Sequence, residues 1–347
     1  MKLRLFLFFF VLVFLNSSFA VADKTPWKLI SSAPWGLDLG GWLQVGYHSK
    51  NTSLINQHPN SIQLHQAWFY VHKEPDLEKK QHFGFRLDVL AGVDAQDTQA
   101  FGNNPGKWDY QNGFDRGAFG FSIPQAYLIY KFPFASVKAG HFYTLEGYEE
   151  VISPDNFFYS HAYTMYNSEP FTHTGVLASV PLNNLEIFFG WTLGWDAGFD
   201  QLNGGSSLLS GIKYHLKDNL TFTYINTWGN LGWRGVGYSH SIVLDYQITK
   251  KLDYVLQSDY SSVSSITDDT KDYGINQYLL YMLNHDWEFG LRLEWWKDQN
   301  RSYYETTFGV NYHVSSNLRF RPELRYDWSP AVNTNEFSYA ADVVFNF

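Results

Sequence analysis

The stretch LRFRPELRYDW, Leu318 to Trp328, interleaves two sequences. Leu318, Phe320, Pro322, Leu324, Tyr326 and Trp328 are uncharged and mostly apolar, whereas Arg319, Arg321, Glu323, Arg325 and Asp327 are all charged. A period of two is that of an extended strand with one apolar face and one ionic face. Such a strand separates two environments. A soluble sheet sets a core against water; a membrane barrel sets lipid against a wet interior.

The pattern recurs. In DWEFGLRLEWW the residues Trp287, Phe289, Leu291, Leu293 and Trp295 oppose Glu288, Gly290, Arg292 and Glu294. YETTFGVNY, LDYVLQSDY, HFGFRLDVLAG and the C-terminal FSYAADVVFNF alternate in the same way. Aromatics sit at the ends of the apolar stripe and aliphatics in its middle. Trp287 and Trp295 flank Leu291, and Tyr304 and Tyr312 flank Phe308. Paired aromatic girdles favour lipid over a protein core, with Trp328 and Phe347 in the same role. The polar stripe is charged and small in turn, which suits a water-filled lumen. A stripe of about 10 residues at ~3.3 Å each, tilted ~40–45°, spans about the ~25 Å apolar band of an outer membrane.

Strands are expected near 36–48, 61–73, 81–93, 122–132, 135–145, 171–180, 184–194, 206–217, 219–229, 236–248, 251–261, 275–283, 286–297, 303–313, 317–328 and 335–347. That is about 16, an even number suited to a closed transmembrane antiparallel β-barrel. Tight connections at 133–134, 181–184, 217–219, 248–251, 283–286 and 314–317 alternate with longer ones at 94–121, 146–170, 195–205, 262–274 and 329–334. Short turns on one rim, expected periplasmic, and long loops on the other are the mark of such a barrel. Pro322 lacks a ladder donor, so a bulge or an unpaired position facing water is expected there.

The N-terminus, MKLRLFLFFFVLVFLNSSFA, places Lys2 and Arg4 before an apolar run of about 11 residues, too short for a ~20-residue membrane helix. Small residues end at Ala20, the order of a secretory signal peptide. The expected division is signal peptide 1–20, a short periplasmic segment 21–35 and one barrel over 36–347. The chain has 347 residues, 19% of them aromatic, a formal charge of −9 and no cysteine. Its mean hydropathy is negative. Many aromatics among many polar residues fit amphipathic strands. The acidic balance and the lack of a basic run argue against nucleic acid, and the absence of cysteine removes disulfides and thiolate metal sites. No H-E-x-x-H, G-x-S-x-G or P-loop occurs, so neither enzyme activity nor a cofactor or metal is expected. His161 and His173 are read as structural.

The segment 146–170, EGYEEVISPDNFFYSHAYTMYNSEP, is too long for a hairpin connection and too aromatic for a floppy one. It is the expected third extracellular loop, carrying Glu146, Glu149, Glu150 and Asp155, tucked into the lumen to narrow it. The run from Lys138 to Val176 resembles the bacterial outer-membrane family called putative beta-barrel porin-2. The resemblance rests on KAG with Phe142 and Thr144, on Gly147-Tyr148-Glu149, on Asn156 with FYSHAY from Phe158, and on PFTHTG from Pro170. GFRLDVLAGVDA and PQAYLIY are also similar to that family. The resemblance is good over about 61–180 and weaker beyond. It implies a porin-like barrel in the bacterial outer membrane. Phe347 is similar to the terminal aromatic read by the barrel-assembly machinery.

On this reading Arg319, Arg321 and Arg325 line the lumen with Arg292, and Arg86 extends the basic wall. Asp88 and Glu323 share the inner face. The acidic loop stands opposite, and a transverse field across the gap would sort small hydrophilic solutes and ions. The competing expectation is that the arginines pair with acids along the wall. Expected partners are outer-membrane lipid, the assembly machinery and the solutes. A homotrimer is compatible with the strand count by resemblance to general porins only. The alternatives are an outer-membrane barrel enzyme, a surface adhesin with a plugged lumen, and a soluble secreted sandwich. Ion preference is left open.

Overall fold

Alternation of apolar and polar residues over nearly every segment leaves each strand with one face that must avoid water and one that must find polar partners. A sheet of such strands has two unpaired edges until it closes. The computed structural model describes residues 26–30, 34–52, 54–102, 115–265 and 269–347, and the expected signal peptide lies outside them. In it the chain forms a closed antiparallel barrel of sixteen strands, each paired with its sequence neighbours. They are β1 (Asp38–His48), β2 (Ile62–Lys73), β3 (Phe83–Gly92), β4 (Gly120–Lys131), β5 (Ser136–Tyr143), β6 (Thr172–Leu182), β7 (Leu185–Thr192), β8 (Ser206–Lys217), β9 (Leu220–Asn230), β10 (Val236–Thr249), β11 (Leu252–Ser264), β12 (Asp269–Met282), β13 (Trp287–Asp298), β14 (Arg301–His313), β15 (Leu318–Ser329) and β16 (Thr334–Asn346). The seam joins β1 to β16, from Trp42 opposite Asn346 to His48 opposite Ala340. Beyond it Phe347 exchanges two backbone hydrogen bonds with Gly41, at 2.9 and 3.1 Å. The sixteen strands and the closed barrel expected from the sequence are present.

Most apolar residues of the strands point outward. Leu324, Phe308 and Val343 are substantially exposed, while Arg321, Glu323 and Arg325 between them are buried. This inverts a soluble protein and is stable only where lipid covers the outside. No helix among the described residues is long and apolar enough to span a membrane. Trp287 stacks on Tyr312 at 4.4 Å, and Tyr304 on Trp328 at 5.2 Å.

Three details differ from expectation. Residues 262–264 and 269–274, expected in a loop, are strand, because Val263 pairs with Thr270 and Ser261 with Asp272. Their Ser, Thr and Asp content mimics a loop. The long-loop rim also holds a two-residue connection after Asp298, where Gln299 adopts φ 48°, while the other rim carries the nine-residue link 74–82. Pro322 causes no bulge. It sits opposite Ala341 of β16 and points outward, not toward water. The β14–β15 pairs stop at Gly309–Glu323 and resume at Tyr312–Phe320 in the same register. The missing donor therefore costs a local gap in the ladder.

Residues 144–171 join β5 to β6 and hold a short helix, α1 (Tyr163–Asn167). Their partners are inward side chains of β1, β2, β10, β11, β12, β13, β14, β15 and β16, so the segment lies within the barrel. Its aromatics reach the wall where inward residues are small. Gly290 and Gly309 face each other across β13 and β14. A Cβ on Gly309 would come 2.9 Å from the Phe158 ring, and one on Gly290 would meet Phe157. The small residues of the polar stripe are thus sockets for the loop. Gly309→Val should displace Phe158, destabilise the barrel by ~1–3 kcal/mol and speed protease cleavage near 157–160. Unchanged cleavage would show that the sockets do not hold the loop.

Candidate functional site: the loop and its wall

An irregular backbone inside a barrel must find partners for every N–H and C=O it buries. Here the charged wall supplies them. The arginines of β15, with Arg292 of β13, receive loop carbonyls. Arg321 donates to Ser153 O at 3.0 Å and to Asn156 O at 2.7 Å. Arg319 donates to Pro154 O at 2.7 Å, Arg325 to His161 O at 2.6 Å and Arg292 to Ser160 O at 2.7 Å. Carboxylates receive the amides. Glu323 accepts from the N–H of Tyr159 at 3.0 Å and of Ser160 at 3.2 Å. Glu294 accepts from Tyr163 and Thr164 at 2.6 and 2.7 Å, at the positive start of α1. Within the loop, Glu149 accepts from Ala162 at 2.9 Å.

Arg292, Arg321 and Arg325 are 0–2% exposed, and each guanidinium is neutralised. Arg292 binds Glu149 at 2.6 Å and Glu305 at 3.0 Å. Arg321 pairs with Asp342, and Arg325 with Asp327 at 2.7 Å. The expected separation between a basic wall and an acidic loop is absent, because the arginines touch the loop. Arg86 stands apart, bound to Asp88 of its own strand at 2.7 Å. Asp88 also accepts from Trp68 at 3.0 Å and Gln125 at 3.1 Å. Arg86 and the exposed Asp155 line one cavity of ≈ 350 Å³ on the short-turn rim, beside Trp27. Trp27 exchanges two 2.7 Å hydrogen bonds with Asn317 and stacks on Phe345.

Burial pushes Glu149 up, but the guanidinium of Arg292 and the nearby His161 outweigh it and hold Glu149 down at about 2. Glu146 has no cation beside it among the described residues. Burial pushes it up to about 8 against the hydrogen bond from Ser239, 2.9 Å away, so it carries a proton at neutral pH. Glu169, bound by Gln257, is raised for the same reason. Glu150 is exposed and is pushed up to about 6 by partial burial and Asp155, so it is largely ionised at pH 7.

Sequence reasoning missed the second anchor, on β1 and β2. Trp42 and Trp68 stack inside the barrel at 4.6 Å, and Trp42 donates to Gln66 at 2.7 Å. Gln66 donates to Val151 O at 2.8 Å and accepts from Ser153 N at 3.2 Å. Tyr159 OH meets His65 at 2.5 Å, and His65 meets Asp94 at 2.7 Å. A Trp and a Gln on the inward parity of the second strand were the available signal. His161 lies 3.5 Å from Glu149, and His173 bonds Thr144 at 3.1 Å. Among the described residues no group of His, Asp and Glu is placed to hold a metal ion.

Space remains on the other side, between the loop and β7–β10. A cavity of ≈ 380 Å³ is lined there by Glu150, Phe171, Glu186, Lys213, Thr223 and Asp245 among others. A neighbouring one of ≈ 320 Å³ adds Asp218 and Asp253.

A closed sixteen-strand barrel with an apolar exterior and one long loop against its inner wall has the architecture of a porin. The family profile described as Putative beta-barrel porin-2, OmpL-like, matches residues 36–347, and the chain belongs to that family. It is a porin of the bacterial outer membrane. Solved structures agree on the fold. The anion-selective porin from Comamonas acidovorans aligns with a TM-score of 0.61 at 10% identity, covering 90% of this chain and 99% of that one. The trimer form of OmpT, an outer membrane protein of Vibrio cholerae, gives 0.58 at 10%, covering 90% and 99%. A mutant of Rh. blastica porin gives 0.58 at 10%, covering 90% and 100%. No curated protein matches the chain by sequence.

Proposed function

We propose that this porin lets small hydrophilic solutes and ions diffuse passively past the side of the loop that faces β7–β10, with preference for cations. No covalent chemistry is assigned to it. The loop 146–170 narrows the lumen, filling the side next to β13–β16 and leaving the other wet. Its short-turn rim faces the periplasm, its aromatic girdles meet lipid at both interfaces, and Phe347 addresses the assembly machinery. The leader over 1–20 is removed on export. Assembly as a homotrimer is proposed with the Vibrio cholerae trimer as precedent.

One observation supports the cation preference: the charges left uncompensated. Arg292, Arg321 and Arg325 are buried and paired, so they contribute little field to the open side. Burial holds Glu146 up at about 8 and raises Glu169 as well, which disfavours charge on both. That leaves Glu150, Glu186 and Asp245 facing one Lys213 on the first cavity, with Asp218 and Asp253 beyond. Carboxylates along a wetted wall raise the local cation concentration. The anion selectivity of the Comamonas acidovorans porin belongs to that protein.

In a planar bilayer under a KCl gradient, the refolded chain is expected to show open steps with a reversal potential of potassium sign. Replacing both Glu186 and Asp245 by Lys should carry that potential toward the chloride side. A chloride sign in the unmodified protein would overturn the preference. Silence from a barrel shown to be folded by heat-modifiable migration would favour a plugged adhesin or an enzyme.

A further inference from the structure

Several aromatic rings inside this barrel already hold a cation of the chain itself. Arg292 lies over Phe158 at 5.0 Å, Arg325 over Tyr163 at 5.2 Å, Arg86 over Tyr70 at 4.8 Å and Lys138 over Tyr127 at 4.6 Å. The rings on the open side do not. Tyr143, Tyr148, Phe171 and Phe188 line the cavity of ≈ 380 Å³, and among the described residues none of them has a lysine or arginine over its face. A ring face carries negative charge density and attracts a cation that has shed its water.

The carboxylates of the same cavity are also free of ion pairs. Glu150, Glu186 and Asp245 make none among the described residues. Lys213 stands opposite Glu186 in the β7–β8 pair, which leaves Glu150 and Asp245 as the excess. Glu150 belongs to the loop and Asp245 to β10, so acids stand on both sides of the gap. Tyr148 is the ring at the narrow point. With Thr221 and Asp245 it lines both this cavity and the next, where Asp218 and Asp253 continue the acidic series. It is held from behind by Tyr278, with ring centroids 4.7 Å apart, and its backbone N–H donates to Gln257 at 3.2 Å.

We infer that this passage takes organic ammonium ions in preference to alkali cations, against the rings of Tyr148 and Phe171 and the carboxylates of Glu150 and Asp245. This rests on the reading of that side as the open path for cations. Carboxylates alone do not make the distinction, because they attract every cation by its charge. Rings do. An alkali ion gives up tightly bound water to touch a ring, whereas an alkylated ammonium is weakly hydrated and presents C–H groups that pack on the aromatic face. A cavity of ≈ 380 Å³ lies within the ~300–1,000 Å³ of small-molecule sites.

Tetramethylammonium tests this, since it has the charge of potassium and no hydrogen-bond donor. Binding is read first without current. The refolded barrel in a nonionic detergent is expected to broaden the tetramethylammonium proton resonance, and an equal concentration of potassium should leave the broadening in place. Tyr148→Leu should weaken binding about three- to tenfold, and Glu150→Gln with Asp245→Asn should abolish it. If Tyr148→Leu does not fold, Phe171→Leu carries the same expectation. Absence of broadening, full displacement by equal potassium, or parental affinity in a folded Tyr148→Leu would overturn the inference. In the planar bilayer, millimolar tetramethylammonium should depress the potassium current of the parent more than that of Tyr148→Leu. A potassium-selective channel indifferent to it would overturn the inference and leave the cation preference standing. A silent barrel that binds tetramethylammonium through Tyr148 would refute the channel and leave the site.

Discussion

Arg292→Ala is expected to detach the loop from β13 and to produce a larger, noisier single-channel conductance. Arg292 is fully buried and serves two carboxylates, Glu149 and Glu305, together with the carbonyl of Ser160. Its removal strands both acids, Glu305 fully buried and Glu149 nearly so, without their shared cation. Breaking a buried ion pair from one side costs ~3–5 kcal/mol, because the remaining charge is uncompensated. The unfolding free energy in urea should fall by about that amount. Arg292→Lys keeps a charge but not the planar fork that bridges three acceptors, so it should fall between. The variant should also gain a pH dependence. In the parent, Glu149 is held down at about 2, so the pairing is present above its unfolded value near 4.5 and is lost only as pH falls toward 2. Without Arg292 the buried Glu149 takes up a proton nearer neutrality, and the open-state current should then step within the ordinary working range. A variant with parental conductance and stability would show that the loop is held elsewhere, at Gln66 and Arg321.

Glu146→Gln is expected to stabilise the barrel at high pH and to leave it nearly unchanged in mild acid. The folded state pushes the Glu146 carboxyl up to about 8. Between about 4.5, the unfolded value, and 8 the folded chain holds a proton that the unfolded chain has released. Stability therefore falls as pH rises through that window, and the loss is complete above 8. The neutral amide has no such slope and keeps an oxygen for the Ser239 hydroxyl. The gap between variant and parent should be near zero at pH 4.5 and reach a few kcal/mol by pH 9. Urea midpoints at the two pH values decide it. Parallel curves would mean that Glu146 is ionised and hydrated within the lumen.

The same two residues show how far the sequence reads. That Arg292 points inward followed from Trp287, Leu291 and Leu293 alternating around it. That Glu146 belongs to a loop too aromatic to float followed from its neighbours. What each does depends on the other side of the barrel. The notion of separated charged rows failed at Arg292, Arg321 and Arg325 because no local pattern reveals whether a gap of water or a loop lies beyond an arginine. The glycines at 290 and 309 were legible as small inward residues and suited a wet lumen equally well. Only the rings of Phe157 and Phe158 beside them tell socket from channel. Residues 262–274 misled for a related reason: polar strand ends at the rim have the composition of loops.

The sequence alone determined nearly all of the strands, the facing of nearly every residue, closure into a barrel of about sixteen and the membrane in which such an inverted surface is stable. These are consequences of a period of two, a property of neighbours along the chain. The tertiary structure decided which charges meet, where the loop lies and which side of the lumen stays wet. Those depend on closure, which brings residue 42 beside residue 346 and sets Glu149 against Arg292. A charge inside a barrel acts through whatever lies within a few ångströms of it, and that distance is set by the closed wall rather than by position along the chain.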